Sequence, residues 1–211
     1  MRVRWLLLIL AFVSCKRDSV LRVAGQAKII SHPLTSPLNW EHSQSNVFVE
    51  CDGRRIADSI GLYSTTPEFI ATSELSAPGE LMLIDTKSCD VTRPLSGMTG
   101  EVEWNAAQTL GFVTAKGAYV IHATRPPTLE KISELPWLAL GVPFQASAWS
   151  GDSVLLKRFE GERCFWATWN VKRGFESFEF SEDVCLEVKF AWRGETPTVV
   201  LPDGRIVEPR R

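Results

Sequence analysis

Short apolar segments alternate with polar turns along most of this chain. Apolar, β-branched and aromatic runs are separated by Gly, Pro, Asp and Ser, a pattern typical of strands joined by turns. Helical signals are weak, and the best candidate, residues 127–135, is short and bounded by prolines. The sequence therefore predicts an all-β protein. The clearest strand candidates are residues 47–49, 81–84, 117–121, 153–156, 164–169, 175–180 and 199–201.

An aromatic residue, a polar turn and an apolar strand recur in that order along the chain. The aromatic residues are Trp40, Tyr63, Trp104, Trp149 and Trp192. The last three intervals are 41, 45 and 43 residues, but the first is only 23. A period of about 40–45 residues with about four strands is typical of a β-propeller blade, whose faces are buried by neighbouring blades. We therefore expect the repeated aromatic residues to fill the layers between blades.

The first and last units match each other most closely. Each carries an Asp-Gly pair between two short strands, Asp52-Gly53 in one and Asp203-Gly204 in the other. Asp-Gly is a strong hairpin signal, because Gly takes the positive φ that such turns need. Either the short first unit is half a blade completed by the C-terminal half unit, or the arc stays open and pairs with a partner.

These observations predict a β-propeller-like fold over residues 39–211. It would have about four blade-type repeats of 41–45 residues and a short first unit; a β-sandwich with periodically placed Trp is the alternative. From about Trp40 to Val207, the repeat resembles the degenerate propeller repeats of the Tol-system type and of lipoprotein propellers. The Trp-Asp signature of other propellers is absent.

The first 14 residues have the form of a signal peptide. Arg2 and Arg4 precede nine apolar residues, Trp5 to Val13, which are too few to span a bilayer. The end of this run and the two residues after it, Phe12-Val13-Ser14-Cys15, resemble the lipobox of bacterial lipoproteins. This resemblance implies that Cys15 carries diacylglycerol and becomes the first mature residue. Residues 15–38 would then form the lipidated N-terminus and a tether, with strand-like segments at 20–23 and 27–30.

Cysteine usage indicates an oxidising compartment. Besides Cys15, the chain contains Cys51, Cys89, Cys164 and Cys185, an even number without any C-x-x-C spacing. Four cysteines allow three pairings, and the nearest-neighbour pairs Cys51–Cys89 and Cys164–Cys185 are preferred. The alternatives are a metal or catalytic thiol site, or four small unpaired core residues.

Composition and charge narrow the function classes. The 211 residues are 45% hydrophobic and 23% charged, as in an ordinary globular protein. The whole chain has a net charge of −2, and removal of Arg2 and Arg4 leaves 21 basic and 25 acidic residues, hence −4. Nucleic acid is therefore not expected as a partner. The three histidines are far apart, so no metal site or cofactor is expected.

Two tryptophans are the most unusual local feature. Alternation in a strand puts Cys164 and Trp166 on one face, and Phe165, Ala167 and Trp169 on the other. One of the two Trp would be partly exposed, and free to bind a sugar or a protein partner, if one sheet face were wet. The favoured interpretation is that both fill layers between blades, because blade sheets are covered on both faces. No catalytic set is evident, because the carboxylates are dispersed over turns.

These features together predict a membrane-anchored extracytoplasmic lipoprotein that faces the periplasm or the cell exterior. Its propeller-like domain would act as a binding or assembly module with an envelope protein as partner, and the lipid bilayer would hold its acyl anchor. One alternative is a hydrolase or lyase that acts on glycans or envelope polymers. Another is a degenerate propeller with a structural role only; whether it is an enzyme stays open, with the balance against.

Overall fold

The computed structural model describes residues 18–33, 45–58, 60–74, 80–97, 101–139, 148–161, 163–180 and 189–210. All regular secondary-structure elements in these ranges are β-strands, which confirms the all-β prediction. None of the described residues belongs to a helix long and apolar enough to cross a membrane. The strands form five antiparallel sheets that follow one another along the chain.

The first three sheets each contain four strands in sequential order. The first sheet consists of β1 (Ser19–Ala24), β2 (Ala27–Pro33), β3 (Ser45–Cys51) and β4 (Arg54–Ala57). The second consists of β5 (Ile60–Thr65), β6 (Phe69–Glu74), β7 (Leu81–Asp85) and β8 (Val91–Leu95). The third consists of β9 (Glu103–Trp104), β10 (Leu110–Thr114), β11 (Ala118–His122) and β12 (Thr128–Ser133).

The last two sheets share the C-terminal end of the chain. The fourth sheet contains β13 (Leu138–Ala139), β14 (Trp149–Ser150), β15 (Ser153–Glu160), β16 (Arg163–Asn170), β17 (Gly174–Phe180) and β21 (Pro209–Arg210). The fifth contains β18 (Lys189–Arg193), β19 (Thr196–Val200) and β20 (Ile206–Val207). Both β13 and β14 pair with β15, so the first strand of the fourth sheet is divided in two.

Four hydrophobic cores lie between consecutive sheets. The core between the first and second sheets contains Ile29 and Ile84, and that between the second and third contains Leu83 and Val113. The core between the third and fourth sheets contains Phe112, Val120, Leu156 and Trp169. The core between the fourth and fifth contains Leu155, Trp166 and Val199. Each sheet thus packs on the next along the chain, which is the packing of propeller blades.

Strand β7 is apolar at four of its five positions, because the sheet is covered on both faces. Successive side chains point to opposite faces, so Met82 and Ile84 enter the core shared with the first sheet. Leu81 and Leu83 enter the core shared with the third sheet. All four are at most 1% exposed, because both faces of the sheet are covered.

The first unit is a full sheet rather than a short one. Strands β1 and β2 pair with each other, and β2 pairs with β3 along its whole length. The strand-like segments expected at residues 20–23 and 27–30 therefore belong to the sheet, which begins at Ser19 and not after residue 38. The intervals between the repeated aromatic residues did not reveal this full unit, because β1 contains no aromatic residue to mark its start. Trp40 lies outside the described residues.

Strand pairing decides two further points that the sequence left open. Residues 127–135 contain no helix, because Thr128–Ser133 forms β12 and pairs with β11. The C-terminal strand does not complete the first unit: β21 pairs with β17, with Phe180 opposite Pro209. The C-terminal end of the chain thus extends the fourth sheet.

Candidate functional site

A groove of about 390 Å³ lies between the fourth and fifth sheets. Its walls are the β16–β17 hairpin on one side and the start of β19 on the other, and β21 contributes one residue. Most of its lining side chains are polar or charged, with three apolar ones among them. The lining residues are Thr168, Arg173, Glu176, Ser177, Phe178, Glu195, Thr196, Pro197 and Pro209.

Asn170 shapes the turn that carries Arg173 into the groove. Its side-chain Oδ1 accepts hydrogen bonds from the backbone N–H groups of Lys172 at 2.9 Å and Arg173 at 3.3 Å. Its Nδ2 donates to Ser153 Oγ at 2.7 Å, inside the fourth sheet. Asn favours this local hydrogen-bonded turn, because its short amide reaches the backbone two residues on. Asn170 is 5% exposed, so a buried side chain fixes the turn to the fourth sheet.

The opposite wall is the β18–β19 turn. Gly194 has a φ of +62°, and the next residue, Glu195, faces Arg173. Arg173 Nη2 and Glu195 Oε2 are 3.2 Å apart, which joins the two walls. Ser150 Oγ also donates to the Gly194 carbonyl at 2.8 Å, so a hydrogen bond joins β14 to the β18–β19 turn. The ion pair is exposed and contributes less than about 1 kcal/mol, so a ligand can replace it at low cost.

The lining can both donate and accept hydrogen bonds. The hydroxyls of Thr168, Ser177 and Thr196 do both, and Phe178 with the two prolines supplies apolar contact. Glu176 is exposed and forms no ion pair with any described residue. With Arg173 paired to Glu195, the Glu176 carboxylate gives the groove a surplus of one negative charge. The groove therefore suits a polar segment that carries a cationic group.

The two tryptophans proposed for binding do not reach the surface. Trp166 is 4% exposed and packs on Phe180 and Phe190 towards the fifth sheet. Trp169 is 2% exposed and packs edge-on against Trp149 towards the third sheet. The assignment of the two faces is confirmed, and so is the favoured expectation that both tryptophans fill layers between sheets. Both faces of the fourth sheet are covered, so both tryptophans fill inter-sheet cores.

The repeated aromatic residues lie in the strands that begin the sheets. Tyr63 is in β5, Trp104 in β9, Trp149 in β14 and Trp192 in β18. Each packs in or against a core between sheets, as the repeat predicts.

One predicted disulfide is present in the described residues. Cys51, at the end of β3, is bonded to Cys89, in the turn after β7, so the bridge joins the first and second sheets. Cys164 is also disulfide-bonded. Its expected partner, Cys185, and the predicted lipid attachment residue, Cys15, lie outside the described residues.

Other titratable groups of the described chain do not converge on a site. Burial raises the pKa of Glu103, and the nearby charge of Glu101 adds to this, although a hydrogen bond from the Ala148 N–H opposes it. His122 Nε2 lies 3.1 Å from Glu130 Oε2. Among the described residues, no three His, Cys, Asp or Glu side chains lie close enough together to hold a metal ion.

The groove itself was not among the sequence predictions. The segment Asn170 to Gly174 carried a readable turn signal, since Asn and Gly at the two ends of a short segment with a charged pair are typical of a hairpin turn. Nothing in the sequence indicated that this turn faces Glu195, because the two segments belong to different sheets.

No family model and no curated protein matches this chain. Among solved structures it is similar to TolB from Acinetobacter baumannii, with 15% sequence identity and a TM-score of 0.38. The match covers 92% of this chain and 55% of the TolB chain, so this chain spans about half the length of that protein.

Proposed function

We propose that this protein is a lipid-anchored extracytoplasmic binding module that holds a segment of an envelope protein in the groove between its fourth and fifth sheets. The observation that carries the binding role is the groove itself. Two separate sheets supply its walls, and Asn170 and Ser150 hold the two turns that face each other. Exposed polar side chains held at a cleft are typical of recognition rather than of packing.

The extracytoplasmic location has two supports. The Cys51–Cys89 bridge and the disulfide at Cys164 belong to an oxidising compartment, because cytosolic thiols are kept reduced. The lipobox-like segment that ends at Cys15 follows a charged and apolar leader. A periplasmic or surface-exposed domain held by acyl chains satisfies both.

The partner segment should contain a Lys or Arg. The Glu176 carboxylate, which pairs with no described residue, would attract it, and a partner carboxylate could take over Arg173 from Glu195. Such contacts at a rim set specificity and association rate more than affinity. Phe178 and the prolines would contact the apolar stem of the bound side chain.

Site-specific photo-cross-linking tests the groove. A benzoylphenylalanine is placed at Ser177 in cells that express the full chain, so that Glu176 keeps its carboxylate, and at Glu179 as the control. Both positions are exposed on β17, but only Ser177 lines the groove. We expect one protein adduct at position 177, absent at position 179 and lost when Glu176→Lys is added.

The outcomes separate the alternatives. The adduct is identified by mass spectrometry, and binding of the purified partner is measured against Glu176→Lys, which should weaken it about tenfold or more. An identical pattern at both positions would contradict the groove as a binding site and favour the structural role stated above.

The lipid anchor is tested separately through Cys15. A Cys15→Ala protein should accumulate as the full-length precursor without lipid, whereas the parent protein should show the mass of an acylated chain that begins at Cys15. The measurement is the intact mass of the membrane-extracted protein. Normal processing of the variant would overturn the anchor, while leaving the groove untouched.

A further inference from the structure

Strand β1 is an exposed edge strand with apolar side chains. Among the described strands it pairs with β2 alone, on one side. Val20 is 55% exposed, Leu21 48% and Val23 60%, whereas the central strands of the first three sheets bury most of their apolar residues. Exposed apolar edge strands are unusual, because they invite contact with another surface.

The backbone of β1 turns these side chains outward. The pairing with β2 shifts between Val20 and Arg22, so Leu21 stands outside the register as a bulge. Arg22 is exposed and makes no ion pair within the described part of the chain. Three apolar side chains and the Arg22 guanidinium, which no described carboxylate pairs, thus lie within four consecutive residues.

Covalent geometry holds this strand close to the proposed anchor. Only Lys16, Arg17 and Asp18 separate Cys15 from Ser19, the first residue of β1. Four residue steps span at most about 14 Å in a fully extended chain. The headgroup layer is about 5–8 Å thick on each side of a bilayer. With acyl chains on Cys15, the start of β1 therefore cannot lie more than about 6–9 Å above the headgroup layer.

We propose that β1 is a membrane-contacting edge, with Val20, Leu21 and Val23 at the interface and Arg22 at the lipid phosphates. This inference rests on the lipid anchor of the proposed function and deepens it. The anchor then orients the domain, because the first sheet is held against the lipid and each later sheet packs on the one before it.

Local charge fits a lipid surface better than overall charge does. Residues 16–23 contain Lys16, Arg17 and Arg22 against Asp18 alone, although the mature chain is net negative. Asp18 Oδ1 lies 2.5 Å from His32 Nδ1, so its carboxylate has a partner on β2. Basic residues beside an anchor are attracted to anionic headgroups by about 1 kcal/mol each near the surface.

Spin-label accessibility tests the proposal on the lipidated full chain. Val23→Cys and Val20→Cys are labelled with a nitroxide and reconstituted in vesicles that contain anionic lipid. Val171→Cys is the matched control, a valine 42% exposed in the β16–β17 turn. A thiol titration of the parent protein should find no free cysteine, so that only the introduced cysteine takes the label.

We expect oxygen, which partitions into lipid, to reach labels at positions 20 and 23 several-fold better relative to a water-soluble nickel complex than at position 171. Equal accessibility at all three positions, in a sample whose mass shows lipid on Cys15, would overturn the membrane contact but not the anchor. Strong dipolar broadening between labels would show that a second copy covers β1, and would also overturn it. A mass without lipid would overturn the anchor, and with it this inference.

Discussion

Single residues connect neighbouring sheets at the level of hydrogen bonds. The Trp104 indole N–H donates to Ser64 Oγ at 3.0 Å, and the Trp149 indole N–H donates to the Glu103 carbonyl at 2.9 Å. In each case an aromatic residue at the start of one sheet reaches the first strand of the preceding sheet. A buried indole N–H without a partner is costly, so this bond fixes how the sheets align.

Glycine at position 25 has a comparable local role. Gly25 has a φ of +58°, and a Cβ there would overlap the Thr86 carbonyl of the second sheet. The neighbouring Gln26 N–H donates to the same carbonyl at 2.7 Å. The β1–β2 turn therefore approaches the β7–β8 turn more closely than any side chain permits.

A comparison of two glycine substitutions isolates this contact. Gly25→Ala and Gly53→Ala both place alanine at a positive φ, but a Cβ at position 53 has open space around it. We expect Gly53→Ala to lower the free energy of unfolding by about 1 kcal/mol and Gly25→Ala by about 2–4 kcal/mol. Denaturant titration measures both. Equal losses of unfolding free energy in the two variants would show that the β1–β2 turn can move away from Thr86 at no cost in stability.

At the scale of elements, one covalent bridge joins two sheets that also share a core. Cys51 and Cys89 are separated by 38 residues, and Cys51 is 2% exposed. The bridge therefore restricts the unfolded chain from the end of β3 to the turn after β7.

Removal of this bridge should destabilise the protein. Chain-entropy arguments predict a loss of about 3–4 kcal/mol for Cys51→Ala with Cys89→Ala, measured by denaturant titration under oxidising conditions. The single variant Val91→Ala, in the same core, controls for packing loss alone. A loss in the double variant no larger than in this control would contradict the entropic role of the bridge.

At the scale of the whole molecule, stability is divided among cores that follow the chain. Each core lies between two consecutive sheets, so a given sheet packs only on its neighbours in the described ranges. Proteins of this kind behave approximately as a row of units with nearest-neighbour coupling. Local damage should therefore stay local.

A reciprocal pair of core substitutions tests this behaviour. Val49 and Val199 are both fully buried, the first between the first two sheets and the second between the last two. Val49→Ala and Val199→Ala should each cost about 1–3 kcal/mol. Hydrogen exchange should accelerate mainly in the first two sheets for one variant and in the last two for the other. Uniform acceleration in both would indicate a single cooperative unit.

Much of the fold was predictable because strands are specified by local sequence. Alternation and turn residues marked strands such as β7 and β16, and the spacing of Tyr63, Trp104 and Trp149 marked the starts of three sheets. The Cys51–Cys89 pair followed from proximity along the chain. By contrast, β1 was assigned to a tether, since a strand without an aromatic marker gave the repeat no starting point.

By itself, then, the sequence determined the strand content, the blade-like period and the faces on which Trp166 and Trp169 lie, since all three depend on residue spacing along one strand or one repeat. Only the tertiary structure decided that both tryptophans are buried, that β21 joins the fourth sheet and that Arg173 meets Glu195. Each of these depends on which sheet covers which face. That is settled by packing between segments distant in sequence, and no local pattern records it.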